Sequence, residues 1–131
     1  MKYSYTAVIT PNETGTKFFV RIPDLPGCVT SGKSLEDAID MAVDAASVWL
    51  VSAEDLEDPV IDPTPQCDIP HDPGDILSII LIDTIAYRAQ TDTRSVRKNV
   101  SLPAWMANLA DKRGINCSQV LQEGLLAKLG A

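Results

Sequence analysis

Three polar side chains alternate along a short segment near the C-terminal end of the chain. Arg97, Asn99 and Ser101 occupy every second position, so they share one face if the segment is a β-strand. In the major groove of DNA, arginine pairs with guanine, asparagine with adenine and serine with either base, and a good bidentate pair contributes about 1–3 kcal/mol of discrimination. The spacing therefore indicates a base-reading surface, with an ordinary solvated strand face as the alternative.

The apolar residues beside this face support the strand. Val96, Val100 and Leu102 fall on the opposite face, as expected for a strand that is buried on one side. Lys98 also falls on that side and breaks the pattern. We expect its stem to cover the edge of the core while its amine reaches water or a phosphate.

Two helices are predicted after the strand. Pro103 ends the strand and suits the first turn of a helix, and Gly114 stops that helix. Asn116 is a favourable N-cap for the second helix. The free N–H groups of Cys117 and Ser118 in its first turn are expected to hold a phosphate.

This C-terminal unit is too small to fold alone. Its 38 residues, 94–131, fall below the roughly 40 that usually fold unaided, and its single strand has no partner in the chain. Pairing with the same strand of a second copy removes both difficulties. The prediction is a homodimer with a two-stranded antiparallel ribbon over four intertwined helices, and such a ribbon fits the DNA major groove.

The charge of the chain changes sign at this unit. From Arg94 onward there are six basic and two acidic residues, a net charge of +4, whereas residues 1–93 carry five basic and sixteen acidic residues, a net charge of −11. Arg94, Lys112 and Arg113 would add sequence-independent attraction to DNA phosphates. An acidic body with a basic end indicates two separate binding tasks.

The front of the chain predicts an α+β domain. Alternating patterns at 3–10 and 17–22, followed by a short strand at 28–31, indicate an antiparallel meander. A helix begins after Ser34, with Asp37 completing a capping box. An apolar run at 76–82 predicts a fourth strand, and two turns of helix follow over 83–90. The intervening residues 54–75 are acidic and rich in proline, which is typical of a long loop.

Two segments of the chain resemble HicB-type antitoxins. The front carries FVRIPDLPGCVT at 19–30 and GKSLEDA at 32–38, and the tail carries VSLPAWM at 100–106 and GINCSQVLQE at 114–123. The resemblance implies a partial RNase H-like domain at 1–90 that masks HicA, a small basic mRNA-cleaving toxin. It also implies a ribbon-helix-helix domain at 91–131 that binds operator DNA and represses the operon. Whether dimers pair into tetramers stays open.

Acidic residues of the front are the candidates for toxin contact. An RNA-cleaving partner must be basic, so an acidic surface competes with RNA for it and speeds association. For Asp24, a rigid structural turn is the favoured alternative. The candidates are Asp24, Leu25, Glu36, Asp40 and Asp44.

Other function classes find little support in the sequence. There is no run of about 18 apolar residues and no signal peptide, so we expect a cytoplasmic protein without a membrane span. Cys28, Cys67 and Cys117 are too scattered for a disulfide framework or a metal site. We expect no cofactor and no catalysis, because the first strand lacks the carboxylate that an RNase H-type metal site needs. The rivals are a stand-alone regulator with a ligand-sensing front domain and a metal-dependent nuclease.

Overall fold

The computed structural model describes residues 1–130, so Ala131, the last residue of the predicted C-terminal domain, lies outside the described part of the chain. The strands are β1 (Lys2–Pro11), β2 (Phe18–Arg21), β3 (Val29–Gly32) and β4 (Ile76–Asp83). The helices are α1 (Leu35–Asp55), α2 (Thr84–Thr91), α3 (Ala104–Lys112) and α4 (Cys117–Leu129). A single 3₁₀ turn spans Gln66–Asp68.

The four strands form one antiparallel sheet in the order β3-β2-β1-β4. The predicted meander of the first three strands is confirmed, and β4 pairs with the free side of β1, where Tyr5 lies opposite Ile80. The mixed α+β class expected from the sequence is therefore confirmed.

The core lies between the sheet and α1. Tyr5, Ala7 and Ile9 of β1 are at most 1% exposed and join a cluster with the inner side of the helix. That side is lined by small residues, which let a helix approach a sheet closely. The buried apolar residues of the helix are Ala38, Ala42, Ala46, Leu50 and Ala53.

The pattern of β1 predicted a strand buried on one face only, and this was wrong. Thr6 and Val8, on the opposite face, are 1% and 0% exposed. β1 is a central strand between β2 and β4. The face of the sheet that carries Thr6 and Val8, here called the outer face, lies opposite α1. The 56–75 loop is attached to this face by a 2.9 Å hydrogen bond from the Arg21 guanidinium to the Pro70 carbonyl. We infer that this long loop supplies the second cover.

The start of α1 follows the predicted capping box with one difference. The Ser34 hydroxyl accepts from the Asp37 N–H at 3.1 Å, as expected, but the Asp37 carboxylate accepts from the N–H of Lys33 at 2.9 Å rather than from that of Ser34. Both bonds still satisfy donors at the helix entrance. The helix continues to Asp55, so the loop is shorter than predicted.

The segment between α2 and α3, residues 92–103, forms neither helix nor strand in the single chain. A strand needs a neighbour to accept and donate its backbone hydrogen bonds, and the single chain offers none to Val96–Leu102. The strand predicted over 96–102 is therefore not formed in the single chain.

Candidate nucleic-acid and protein interfaces

The side chains proposed to read DNA are all accessible. Arg97, Asn99 and Ser101 are exposed, as is Lys98 between them. In the single chain they lie along the unpaired segment, so their common face depends on the strand that a partner would complete.

Arg94 is paired with Asp92, which lies just before the basic end of the chain and was not included in its net charge. Its guanidinium donates two hydrogen bonds to the Asp92 carboxylate, at 2.8 and 2.9 Å. These bonds lower the pKa of Asp92 to about 2. Asp92 therefore compensates part of the charge of Arg94.

The entrance of α4 is built as predicted. The Asn116 side chain accepts from the N–H of Gln119 at 3.2 Å, and the backbone series begins with Val120 donating to the Asn116 carbonyl at 3.1 Å. The preceding N–H groups, those of Cys117 and Ser118, come before the first intrahelical bond and are exposed. These two N–H groups have no acceptor within the helix and can donate to a group outside it.

The tail lacks an interior of its own. None of the residues of α3 or α4 is buried, and Trp105 is 63% exposed. An apolar hollow of about 320 Å³ lies between the helices and the segment before them. It is lined by Val100, Leu102, Met106, Ala110, Ile115, Cys117, Val120 and Leu121. A surface of this kind normally receives another apolar surface.

Two of the candidate toxin contacts are inside the protein. Asp24 is 6% exposed, and its two carboxylate oxygens accept from the N–H and the hydroxyl of Thr64 at 2.8 and 2.7 Å. Leu25 is 1% exposed. Both residues belong to the turn after β2, where Asp24 holds the long loop through Thr64 and Leu25 packs into the core. Their side chains are not available on the surface of the single chain.

The other three candidates share the outer side of α1. Glu36, Asp40 and Asp44 recur every four residues and are exposed. The fold therefore brings these three carboxylates together and separates them from the buried pair in the turn after β2.

A polar network that the sequence did not indicate joins α1 to α2. The Glu54 carboxylate accepts from the hydroxyls of Tyr3 and Thr84 at 2.8 and 2.9 Å, and from the Arg88 guanidinium at 3.1 Å. The Thr84 hydroxyl accepts in turn from the amino group of Met1 at 3.0 Å. The network therefore fastens the end of α1, the start of β1 and the start of α2 at one place.

This network shifts the pKa of Glu54 and Tyr3, and it raises the pKa of Arg88, where burial is outweighed by the hydrogen bonds to Asp55 and Glu54. Burial favours the neutral form of Glu54, but the hydrogen bonds from Tyr3, Thr84 and Arg88 outweigh burial and hold its pKa below the usual value. Burial, together with the bond to Glu54, raises the pKa of Tyr3 to about 12. The shifts favour the charged form of Glu54 and the neutral form of Tyr3, which are the forms that both side chains have at neutral pH.

Within residues 1–130, no three His, Cys, Asp or Glu side chains lie close enough to hold a metal ion. No helix in the same range is long and apolar enough to cross a membrane.

The described chain is a mixed α+β protein with a four-stranded antiparallel sheet and four helices. Residues 5–130 match the family described as HicB_like antitoxin of bacterial toxin-antitoxin system. Because the match spans nearly the whole sequence, the chain belongs to this HicB-like antitoxin family. Comparison with curated protein sequences finds no match.

Solved structures share the fold. A chain of a structure titled "Toxin-Antitoxin complex from Streptococcus pneumoniae" is 20% identical with a TM-score of 0.61, over 98% of this chain and 99% of that chain. The antitoxin HicB of Burkholderia pseudomallei is 21% identical with a TM-score of 0.55, over 97% and 96%. A chain of the "HicA3 and HicB3 toxin-antitoxin complex" is 25% identical with a TM-score of 0.50, over 63% and 99%.

Proposed function

We propose that this antitoxin neutralises a small, basic HicA-type mRNA-cleaving toxin with residues 1–90, a partial RNase H-like domain. Residues 91–131 form a ribbon-helix-helix dimer that binds operator DNA and represses the operon. Neutralisation is steric and electrostatic, without catalysis by this chain. The protein thus has two partners besides its own second copy.

The observation that carries the dimer is the uncovered apolar side of the tail. Val96, Val100 and Leu102 are 91%, 56% and 46% exposed in the single chain, and Val100 and Leu102 line the hollow between α3 and α4. Pairing 96–102 with the same segment of a second copy would bury these side chains and satisfy the backbone of both strands. The same pairing turns Arg97, Asn99 and Ser101 of both copies outward on one ribbon.

DNA binding follows from what this ribbon presents. Arg97, Asn99 and Ser101 are the base-reading residues, with Lys98 at the edge, and the N–H groups of Cys117 and Ser118 behind the Asn116 cap receive a phosphate. The net charge of +4 from Arg94 onward supplies the sequence-independent attraction. Arg94 contributes less than its charge suggests because Asp92 holds it.

Toxin binding is supported by family membership and by charge. Two of the similar structures are titled as toxin–antitoxin complexes. The net charge of −11 over residues 1–93 opposes that of any protein built to bind RNA. Within the front, the exposed carboxylates Glu36, Asp40 and Asp44 are the toxin contacts. Asp24 and Leu25 act indirectly, by holding the turn after β2.

The experiment separates the two tasks in the full-length chain. In the variant Arg97→Ala/Asn99→Ala we expect affinity for the DNA upstream of the gene to fall by at least about 100-fold, because each lost base pairing contributes about 1–3 kcal/mol. Protection of RNA from the toxin should be unchanged. Fluorescence anisotropy with operator and scrambled DNA measures the first result, and an RNA cleavage assay measures the second.

The control Lys112→Ala removes the same single positive charge but leaves the ribbon face intact. It should weaken operator and scrambled DNA alike. If Arg97→Ala/Asn99→Ala keeps its preference for the operator, the ribbon does not read DNA. If wild-type protein fails to protect RNA, the antitoxin role of the front domain is wrong.

A further inference from the structure

A groove runs along α1 on the side that faces the start of β3. Its volume is about 580 Å³, and its lining is predominantly apolar. Val48 and Leu56 of its helical wall are 48% and 72% exposed, and the Gly27–Cys28 turn lies opposite them. Two large apolar side chains on one concave surface form a site at which another protein gains contact area.

The floor of the groove is rigid. The Trp49 indole N–H donates to the Pro26 carbonyl at 3.0 Å, which ties the helix to the turn before β3. At the far end, Glu57 adopts a positive φ of 54°, and the N–H of Asp58 donates to the Ala53 carbonyl at 2.9 Å. These bonds end the helix and fix the backbone of Asp58, one of the lining residues. A preformed groove loses little conformational freedom on binding.

The charge of the groove has one sign. Asp58 lines it, no lysine or arginine does so, and Asp44 lies one helical turn before Val48 on the same wall. Asp40 precedes Asp44 by another turn. An apolar centre with carboxylates at its rim is complementary to a basic protein surface that presents an apolar side chain.

The outer face of the sheet also exposes apolar side chains, but its charge is mixed. Ile79 and Phe19 are 52% and 49% exposed there. The Lys17 amine lies 5.0 Å from the Phe19 ring centroid, Arg21 shares the face, and the Asp75 carboxylate accepts from the Thr10 hydroxyl at 2.8 Å. The groove along α1 has no cation in its lining, so a basic partner is favoured there.

We infer that this groove is the docking site of the basic toxin. An apolar side chain of the toxin packs against Val48 and Leu56, while lysines or arginines around it meet Asp44 and Asp58. The inference rests on the proposed neutralisation of a HicA-type toxin and names the surface that performs it. A central apolar anchor inside a charged rim is the arrangement that carries most binding energy in protein interfaces.

The test places a cation in the groove of the full-length protein. Val48→Arg should weaken binding to the purified HicA-type toxin by more than about tenfold, which corresponds to about 1.4 kcal/mol. The matched control is Ile79→Arg, a similarly exposed position on the outer sheet face, which should change the affinity less than about threefold. Thermal unfolding and operator binding establish that both variants are folded.

A second pair of variants tests the rim without changing shape. Asp44→Asn/Asp58→Asn should slow association with the toxin severalfold at low salt and less at high salt, because the lost attraction is electrostatic. Glu13→Gln, in the turn after β1, should not. Equal affinities of Val48→Arg and Ile79→Arg would overturn the inference, as would a loss confined to Ile79→Arg. Wild-type protein that does not bind the toxin would instead overturn the proposed function.

Discussion

Replacing Glu54 by glutamine removes the charge at the centre of the network that joins α1, β1 and α2. The side chain keeps its size, so the change isolates electrostatics from packing. Tyr3, Thr84 and Arg88 all donate to this carboxylate, at distances between 2.8 and 3.1 Å. Glu54 is 19% exposed, so water replaces these bonds poorly.

The magnitude follows from these contacts. A hydrogen bond to a charged group contributes about 1.5–3 kcal/mol and a neutral one about 0.5–1.5 kcal/mol, so neutralising the acceptor costs about 1 kcal/mol for each of the donors. Arg88 keeps a second partner, Asp55, at 2.9 Å, which reduces its share of the loss. We expect Glu54→Gln to lower the free energy of unfolding by about 2–3 kcal/mol.

Urea unfolding followed by far-UV circular dichroism at pH 7 measures this loss, with Glu13→Gln as the control for removing an exposed charge. The control should change the free energy of unfolding by less than about 0.5 kcal/mol. A change of that small size in Glu54→Gln would refute the reasoning, because it would mean that water or another side chain replaces the network.

The pH dependence provides a second signature. The pKa of Glu54 is lower in the folded state than in the unfolded state, so its contribution is present above the unfolded pKa and is lost as pH falls through the folded one. The pKa of Tyr3 is raised from 10.0 to about 12, so its contribution is present below pH 10 and disappears between pH 10 and about 12. Glu54→Gln should flatten the acid limb of the stability profile and weaken the alkaline limb, because burial, the larger cause of the Tyr3 shift, is unchanged.

The remaining predictions concern two glycines. Gly32→Ala should lower the free energy of unfolding by at least about 1–3 kcal/mol in the same urea assay, because a Cβ there would lie 2.4 Å from the backbone nitrogen of Ala38. An unchanged midpoint would show that α1 can move away from β3. Gly124→Ala meets nothing within 4 Å in the single chain, so it should favour α4 by about 1 kcal/mol. If a second copy packs against Gly124, the same change should weaken dimerisation in sedimentation equilibrium, and unchanged dimerisation would exclude close packing at this residue.

Local patterns predicted the elements of this fold well. The meander, the helix after Ser34, the apolar strand at 76–82 and the Asn116 cap all depend on residues within about one turn or one strand of each other. The Ser34 hydroxyl, for example, reaches only three residues along the chain. Such short-range patterns are visible in a sequence because the interacting residues recur at fixed spacings.

Contacts between distant parts of the chain could not be predicted in this way. The Asp24 carboxylate meets Thr64, 40 residues away, and Glu54 meets Tyr3 across 51 residues. The 56–75 loop has no periodicity, so the sequence did not indicate that it is attached to the outer face of the sheet. For the same reason the burial of β1 on both faces was not predicted. Asp24 and Leu25 were for this reason included among the candidate toxin contacts although their side chains are buried, which agrees with the structural turn that was favoured for Asp24.

The two parts of the chain also differ in how their stability can depend on concentration. The front buries a complete core between the sheet and α1 within one copy, whereas no side chain from residue 92 to 130 is buried. If the tail folds by pairing with a second copy, its unfolding midpoint must rise with protein concentration, and that of the front must not. Dilution should therefore release DNA while toxin binding by each front domain persists, which is the separation of tasks that the charge reversal at residue 94 indicates.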